Sequence, residues 1–188
     1  MIDSEITRAK EVLLAGGTIL YPTDTIWGIG CDATKPAAVQ KIYSLKKRAD
    51  SKSMLVLMSD IVMLKAYLKE VPAKALELIE SAHKPTTIIY PGAINLAHNL
   101  LAKDGSVGIR ITSDEFCQKL IEKAGFPIVS TSANTSGNPA PLSFGTIESE
   151  LQQKVDHVVN WRQNENEPRA PSAIIKLDEN GRTSILRA

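Results

Sequence analysis

Two cysteines in 188 residues, Cys31 and Cys117, are too few and too far apart for a disulfide framework or a thiolate metal site. Aromatic residues make up 5% of the chain and are not interleaved with basic ones, so a stacking platform for nucleic acid is absent. A net charge of +1 excludes a strongly basic nucleic-acid binder. No apolar run approaches the roughly 18 residues that suggest a membrane span. The opening MIDSEITRAKEVL carries two acids before its first base, unlike a secretory leader, so a cytoplasmic protein with no membrane contact is expected. Three familiar signatures are also missing. There is no GxxxxGK[ST] loop, GIG at 28–30 is not GxGxxG, and His83, His98 and His157 lack metal-ligand spacing. The last point predicts no metal held by the protein itself.

What remains is ordinary soluble composition, 43% hydrophobic and 23% charged, in a length that suits one domain over 1–188. Such a chain buries about 70% of the surface that its extended form exposes. Apolar positions Ile6, Ala9, Val12 and Leu13 recur with a helical period over 4–15, with Asp3 or Ser4 as cap and Gly16-Gly17 as stop. Thr18 to Tyr21 reads as a strand ended by Pro22, and Gly28 and Gly30 punctuate a loop. Pro36 suits the first turn of a helix over 36–47. MLVLM at 54–58 is a strand covered on both faces, followed by helices capped at Ser59 or Asp60 and opened by Pro72. Further strands fall at 86–90, 106–110 and 127–129, with a helix from Ser113 to the stop at Gly125.

Residues 131–146, rich in Ser, Asn, Gly and Pro, predict a long surface loop. A helix near 144–154 and a strand at 157–159 follow. SAIIKL and TSILR flank a turn whose Asn180-Gly181 tolerates positive φ, a hairpin signal. Alternating strands and helices argue an α/β fold, and the hairpin makes the sheet mixed.

Charge is uneven. Residues 41–53 hold five Lys or Arg against Asp50, a local +4, and such clustering focuses anions into a cleft. Lys46-Lys47-Arg48 ends a helix, where basic residues also merely complement the dipole. Read as a phosphate site, Arg48 supplies a planar donor fork and Lys46 a compact cation. Ser130, Thr131, Ser132 and Asn134 follow a buried strand, as plain loop formers or as an anion-binding nest. Thr23, Asp24 and Thr25 read as a capped turn, with Asp24 a weak general-base candidate.

The strings YPTDTIWGIGCD, LKKR, GIR and PIVSTSANTSGNPA, in that order between about Gly16 and Leu177, resemble the YrdC-like family in its short, single-domain form. The resemblance implies an open, twisted, mixed β-sheet flanked by helices around a concave basic cavity. It also implies L-threonylcarbamoyladenylate synthase activity. L-Threonine, bicarbonate and ATP, accompanied by Mg²⁺, would give the adenylate and pyrophosphate without a tightly bound organic cofactor. A partner transferase complex would carry the group to N6 of adenosine 37 in tRNA, leaving this chain weak or no direct contact with tRNA. Carried over by position, Lys46 and Arg48 are the expected catalytic cations. Lys46, Arg48, Lys52, Ser132, Asn134, Ser172 and Arg169 are expected on ATP or the adenylate, and Thr23, Thr25, Arg110 and Ser130 on threonine. Two departures stand out: Ala82-His-Lys-Pro-Thr-Thr87 replaces a Trp-Pro-Gly-Pro-x-Thr string, and Ser172-Ala173 replaces Ser-Thr. The competing reading is a double-stranded RNA-binding or ribosome-maturation module, which would bind RNA with salt sensitivity and show no threonine-dependent ATP turnover. A same-fold enzyme that uses carbamoyl phosphate is a third.

Overall fold

The computed structural model describes residues 1–47, 54–165, 167 and 169–188. Among them, helices α1 (Ile2–Leu14), α2 (Pro36–Leu45), α3 (Ile61–Ala66), α4 (Ala73–Glu80), α5 (Glu115–Ala124) and α6 (Ser149–Lys154) surround a nine-stranded sheet. The strands are β1 (Ile19–Tyr21), β2 (Gly28–Gly30), β3 (Leu55–Met58), β4 (Thr86–Tyr90), β5 (Val107–Ile111), β6 (Ile128–Ser132), β7 (His157–Val158), β8 (Ala173–Leu177) and β9 (Thr183–Arg187). Their order is β7-β1-β2-β6-β3-β5-β4-β8-β9. The pairs β1–β7, β3–β5 and β4–β8 are parallel and the others antiparallel, so the sheet is mixed as expected.

Side chains alternate across a strand, and each face of this sheet has its own core. One face carries Leu20, Ile29, Val56, Met58, Ile88, Ile109 and Val129 against Val39, Ile42 and Tyr43 of α2, Leu64 of α3, Ala75 of α4 and Leu151 of α6. The opposite face puts Ile19, Tyr21, Leu57 and Ile128 under Ile6, Ala9 and Leu13 of α1 and Phe116, Cys117, Leu120 and Ile121 of α5. In the run at 54–58, Met54, Val56 and Met58 are buried on one face and Leu57 on the other, while Leu55 is half-buried. Helices α1 and α5 cover only part of their face. Farther along it the same alternation exposes Leu55, Thr87, Ile89, Gly108, Ser130, Ser132 and Ile174 to a cavity.

Local chemistry explains most boundaries. The Asp60 carboxylate accepts from Met63 N at 2.7 Å, and Gly125 closes α5 at φ 78°. The hairpin turn is closed by Asp178, whose Oδ1 accepts from Asn180 N and Arg182 N, with Gly181 at φ 75°.

Several expectations are corrected. Helix α1 starts at Ile2 with no side-chain cap, because the Ser4 hydroxyl turns back to Met1 O. Helix α5 starts at Glu115 rather than at Ser113, capped by Asp114, whose Oδ1 accepts from Cys117 N at 3.0 Å. The glycines at 28–30 form a strand rather than a loop. A Cβ on Gly30 would lie 2.6 Å from Val129 O and 2.7 Å from Tyr21 Cε1, so only glycine lets β2 sit between its neighbours. Strand β6 runs on to Ser132, held by β2 on one side and β3 on the other, and the long loop starts after it. The helix expected over 144–154 splits into a 3₁₀ turn at 144–146 and α6.

Candidate active site

The uncovered part of the α1/α5 face forms a cavity of about 450 Å³, lined by Leu55, Thr87, Ile89, Gly108, Ser130, Ser132, Ile174, Lys176 and Arg187 among others. A smaller recess adjoins it through Leu55, Ser130, Thr131, Ser132 and Arg187 and adds Thr25, Arg110 and Ser172. Gly108 keeps the floor low, since a Cβ there would press on Thr87 Cγ2 at 3.3 Å.

Helix α2 ends at Leu45, two residues earlier than its apolar period suggested, with Lys46 as its C-cap and Lys47 in the left-handed region at φ 50°. That break turns the Lys46 side chain inward, where it is 1% exposed. Its Nζ donates to Ser132 O and, at 2.6 Å, to Asn134 O, while Lys46 O accepts from Ser136 N at 3.0 Å. The cation after α2 and the polar string at the end of β6 therefore meet. Asn134 donates from Nδ2 to Thr135 O and Asn138 O, and its buried Oδ1 meets no hydrogen-bond partner among the described residues. Glu148 accepts from Thr135 and Asn138, and these hydrogen bonds, Asn138's foremost, hold its carboxyl below the usual glutamate range.

The second wall begins with Thr23 and Thr25. The buried Thr23 hydroxyl donates to Ile26 O and accepts from Thr25 N, so it builds the turn. Thr25, rather than Thr23, lines the recess. Arg110, on β5, is 2% exposed and donates from Nη2 to Asp24 Oδ1 at 2.9 Å and to Thr25 Oγ1 at 3.3 Å. Its Nε is buried and meets no hydrogen-bond partner among the described residues. Ser130 projects from β6 into both spaces. Burial pushes the Tyr21 hydroxyl and the Cys117 thiol beneath this wall well above their ordinary pKa values.

On the far side the Ser172 and Thr87 hydroxyls share a hydrogen bond of 2.8 Å. Arg187, unrecognised in the sequence, lines both spaces and donates from Nε to Ser172 O at 2.7 Å. Its signal was thin: one cation ending a hairpin strand. Arg169 is exposed, pairs with Glu165 at 3.2 Å, and borders a shallow cleft over Thr23 and Thr25. Arg48 and Lys52 lie outside the described residues. Among the described residues, no three His, Cys, Asp or Glu side chains are grouped to hold a metal ion, and no helix is long and apolar enough to cross a membrane.

The model of the Sua5/YciO/YrdC family, described as telomere recombination, matches residues 11–188. The chain belongs to this family. The threonylcarbamoyl-AMP synthase of Stutzerimonas stutzeri (strain A1501) is 31% identical over 159 residues, 84% of this chain and 85% of that protein. Among solved structures, P. abyssi Sua5 complexed with L-threonine superimposes with a TM-score of 0.85 at 25% identity, over 97% of this chain and 53% of that one. This chain therefore spans about half the length of that Sua5. E. coli YciO superimposes with a TM-score of 0.82 at 26% identity, covering 97% and 87%. The family fold is the mixed twisted sheet flanked by helices described above.

Proposed function

We propose that this Sua5/YciO/YrdC-family protein is an L-threonylcarbamoyladenylate synthase. It condenses L-threonine, bicarbonate and MgATP into the adenylate and pyrophosphate, for transfer to adenosine 37 of tRNA by a separate transferase complex. The observation that carries this reading is Arg110. A buried guanidinium whose Nε has no partner among the described residues, on the wall of a recess rich in hydroxyls, can donate Nε to a carboxylate that also shares Nη2 with Asp24 and Thr25. The relatives support it: one is a threonylcarbamoyl-AMP synthase and another was solved with L-threonine.

In this reading threonine occupies the recess of Thr25, Arg110 and Ser130, and the nucleotide fills the larger cavity toward Thr87, Ser172 and Arg187. Lys46 fixes the Ser132–Asn134 segment and sets a positive charge behind it, and Arg48 supplies the second cation. Threonine's amine adds to bicarbonate, giving a carbamate. The carbamate oxygen attacks the α-phosphorus of ATP and pyrophosphate leaves. No side chain forms a covalent intermediate. Placement and electrostatic stabilisation supply the rate, at about 2–4 kcal/mol for each donor aimed at the transition state. Mg²⁺ enters on the triphosphate.

The decisive assay is pyrophosphate release, with threonine and bicarbonate omitted in turn and the adenylate identified by mass. Release that depends on both substrates is expected. Turnover with carbamoyl phosphate instead, or salt-sensitive RNA binding without turnover, would overturn the assignment.

A further inference from the structure

We infer that Asp24 receives the ammonium group of the substrate and takes its proton, so that Asp24 and Arg110 together recognise an α-amino-acid zwitterion. The inference rests on the threonine reading above and assigns a further catalytic residue to it. Asp24 and Arg110 form a buried ion pair, their side chains 8% and 2% exposed. Pairs of this kind bear a large desolvation cost and recover it best when every donor is satisfied. This one is not satisfied. Nε and Nη2 lie along one edge of the guanidinium, yet Asp24 engages only Nη2, and Nε is left without a partner among the described residues. Half of a carboxylate-binding fork is therefore held in reserve beside an anion.

A carboxylate alone would be a poor occupant, because it would arrive next to Asp24 and be repelled. A molecule with a cation two bonds from its carboxylate resolves the conflict. Its carboxylate takes the open Nε and shares Nη2 with Asp24 and Thr25, and its ammonium falls beside the Asp24 carboxylate. The pair thus selects α-amino acids over plain acids by the same charges that cost stability without ligand.

The chemistry requires this group as well. An ammonium has no lone pair, so it must lose a proton before its nitrogen can attack carbon. In the step assigned here an N–H bond breaks and an O–H bond forms on Asp24. The freed lone pair forms the C–N bond to bicarbonate, whose hydroxyl leaves as water with the amine's second proton, giving the carbamate anion. Tyr21 and Cys117 share Asp24's surroundings, but burial keeps both protonated at neutral pH and unable to compete as acceptors. The proton has an exit. Asp24 lines a cavity of about 380 Å³ with His83, Lys84, Thr86, Thr112 and Gln118, none of which borders the recess lined by Arg110.

The test is calorimetric binding of L-threonine and of 3-hydroxybutanoate, the same molecule without its ammonium, to wild type, Asp24→Asn and Asp24→Glu. Wild type should bind threonine at least about tenfold more tightly. Asp24→Asn should weaken threonine by about 10- to 100-fold, the range for a lost charge-assisted contact, and leave 3-hydroxybutanoate unchanged or tighter. Asp24→Glu should keep the preference for threonine. Equal loss of both ligands in a folded Asp24→Asn variant would reduce Asp24 to a support for Arg110 and overturn the inference. If that variant does not fold, wild type binding both ligands equally would overturn it. Wild type that fails to bind threonine would overturn the synthase reading itself.

Discussion

Replacing Lys46 with methionine keeps the length and most of the volume of the side chain but removes its ammonium. The hydrogen bonds to Ser132 O and Asn134 O are among those lost. The consequences differ between the two carbonyls. Ser132 O still accepts from Asn134 N at 2.9 Å, whereas Asn134 O loses its donor among the described residues. A hydrogen bond to a charged group contributes about 1.5–3 kcal/mol, and a buried acceptor left unmade costs about 1–3 kcal/mol. Relief of the buried charge offsets part of this loss. The net expectation is about 2–3 kcal/mol of lost stability, or a Tm lower by about 5–10 °C for a chain of this size. Urea denaturation of Lys46→Met beside Lys47→Met measures it. Lys47 is exposed and should change stability by less than about 0.5 kcal/mol. Equal stability of the two variants would refute the idea that Lys46 ties α2 to the end of β6. It would also remove the reason for placing a charge behind Ser132.

Gly30→Ala should destabilise the protein by at least about 3 kcal/mol, because the new methyl would meet Val129 O, Tyr21 Cε1 and Ile128 Cγ2, all inside 3.0 Å; a near-native unfolding midpoint would contradict this packing. The depressed Glu148 carboxyl contributes stability that is complete above the ordinary glutamate range, near pH ~4.3, and is lost as pH falls through its lower folded value. Glu148→Gln should therefore lose less stability than wild type between neutral and acid pH in urea titrations, and parallel curves would refute the role given to the Asn138 and Thr135 contacts. Arg187→Met should raise KM for ATP with little change in folding, since its side chain is exposed while its donors reach Ser172; an unaltered KM would remove Arg187 from the nucleotide wall.

The helices were legible wherever chemistry is local. Pro36 begins α2, Asp60 caps α3 and Gly125 ends α5, each through its own backbone preference or hydrogen bond. Strand β2 was not legible. Three residues with two glycines look like a loop until β1 and β6 arrive on either side, and what makes glycine necessary there is a carbonyl about a hundred residues away. The same non-local pairing carries β6 through Ser130 to Ser132, residues that look like turn formers when read alone.

The site divides along the same line. Residue types and their order along the chain determined which groups were available: a cation after α2, hydroxyls along β6 and an amide after it, and an arginine on β5. Only the tertiary structure decided what each one faces. The helix break after Leu45 sends Lys46 inward to two carbonyls. The turn consumes the Thr23 hydroxyl and leaves Thr25 on the recess, and Arg110 meets Asp24 across 86 residues of chain. Composition and periodicity record what one segment prefers. Which polar atoms are satisfied, and which are left for a ligand, depends on contacts between segments that no local pattern encodes.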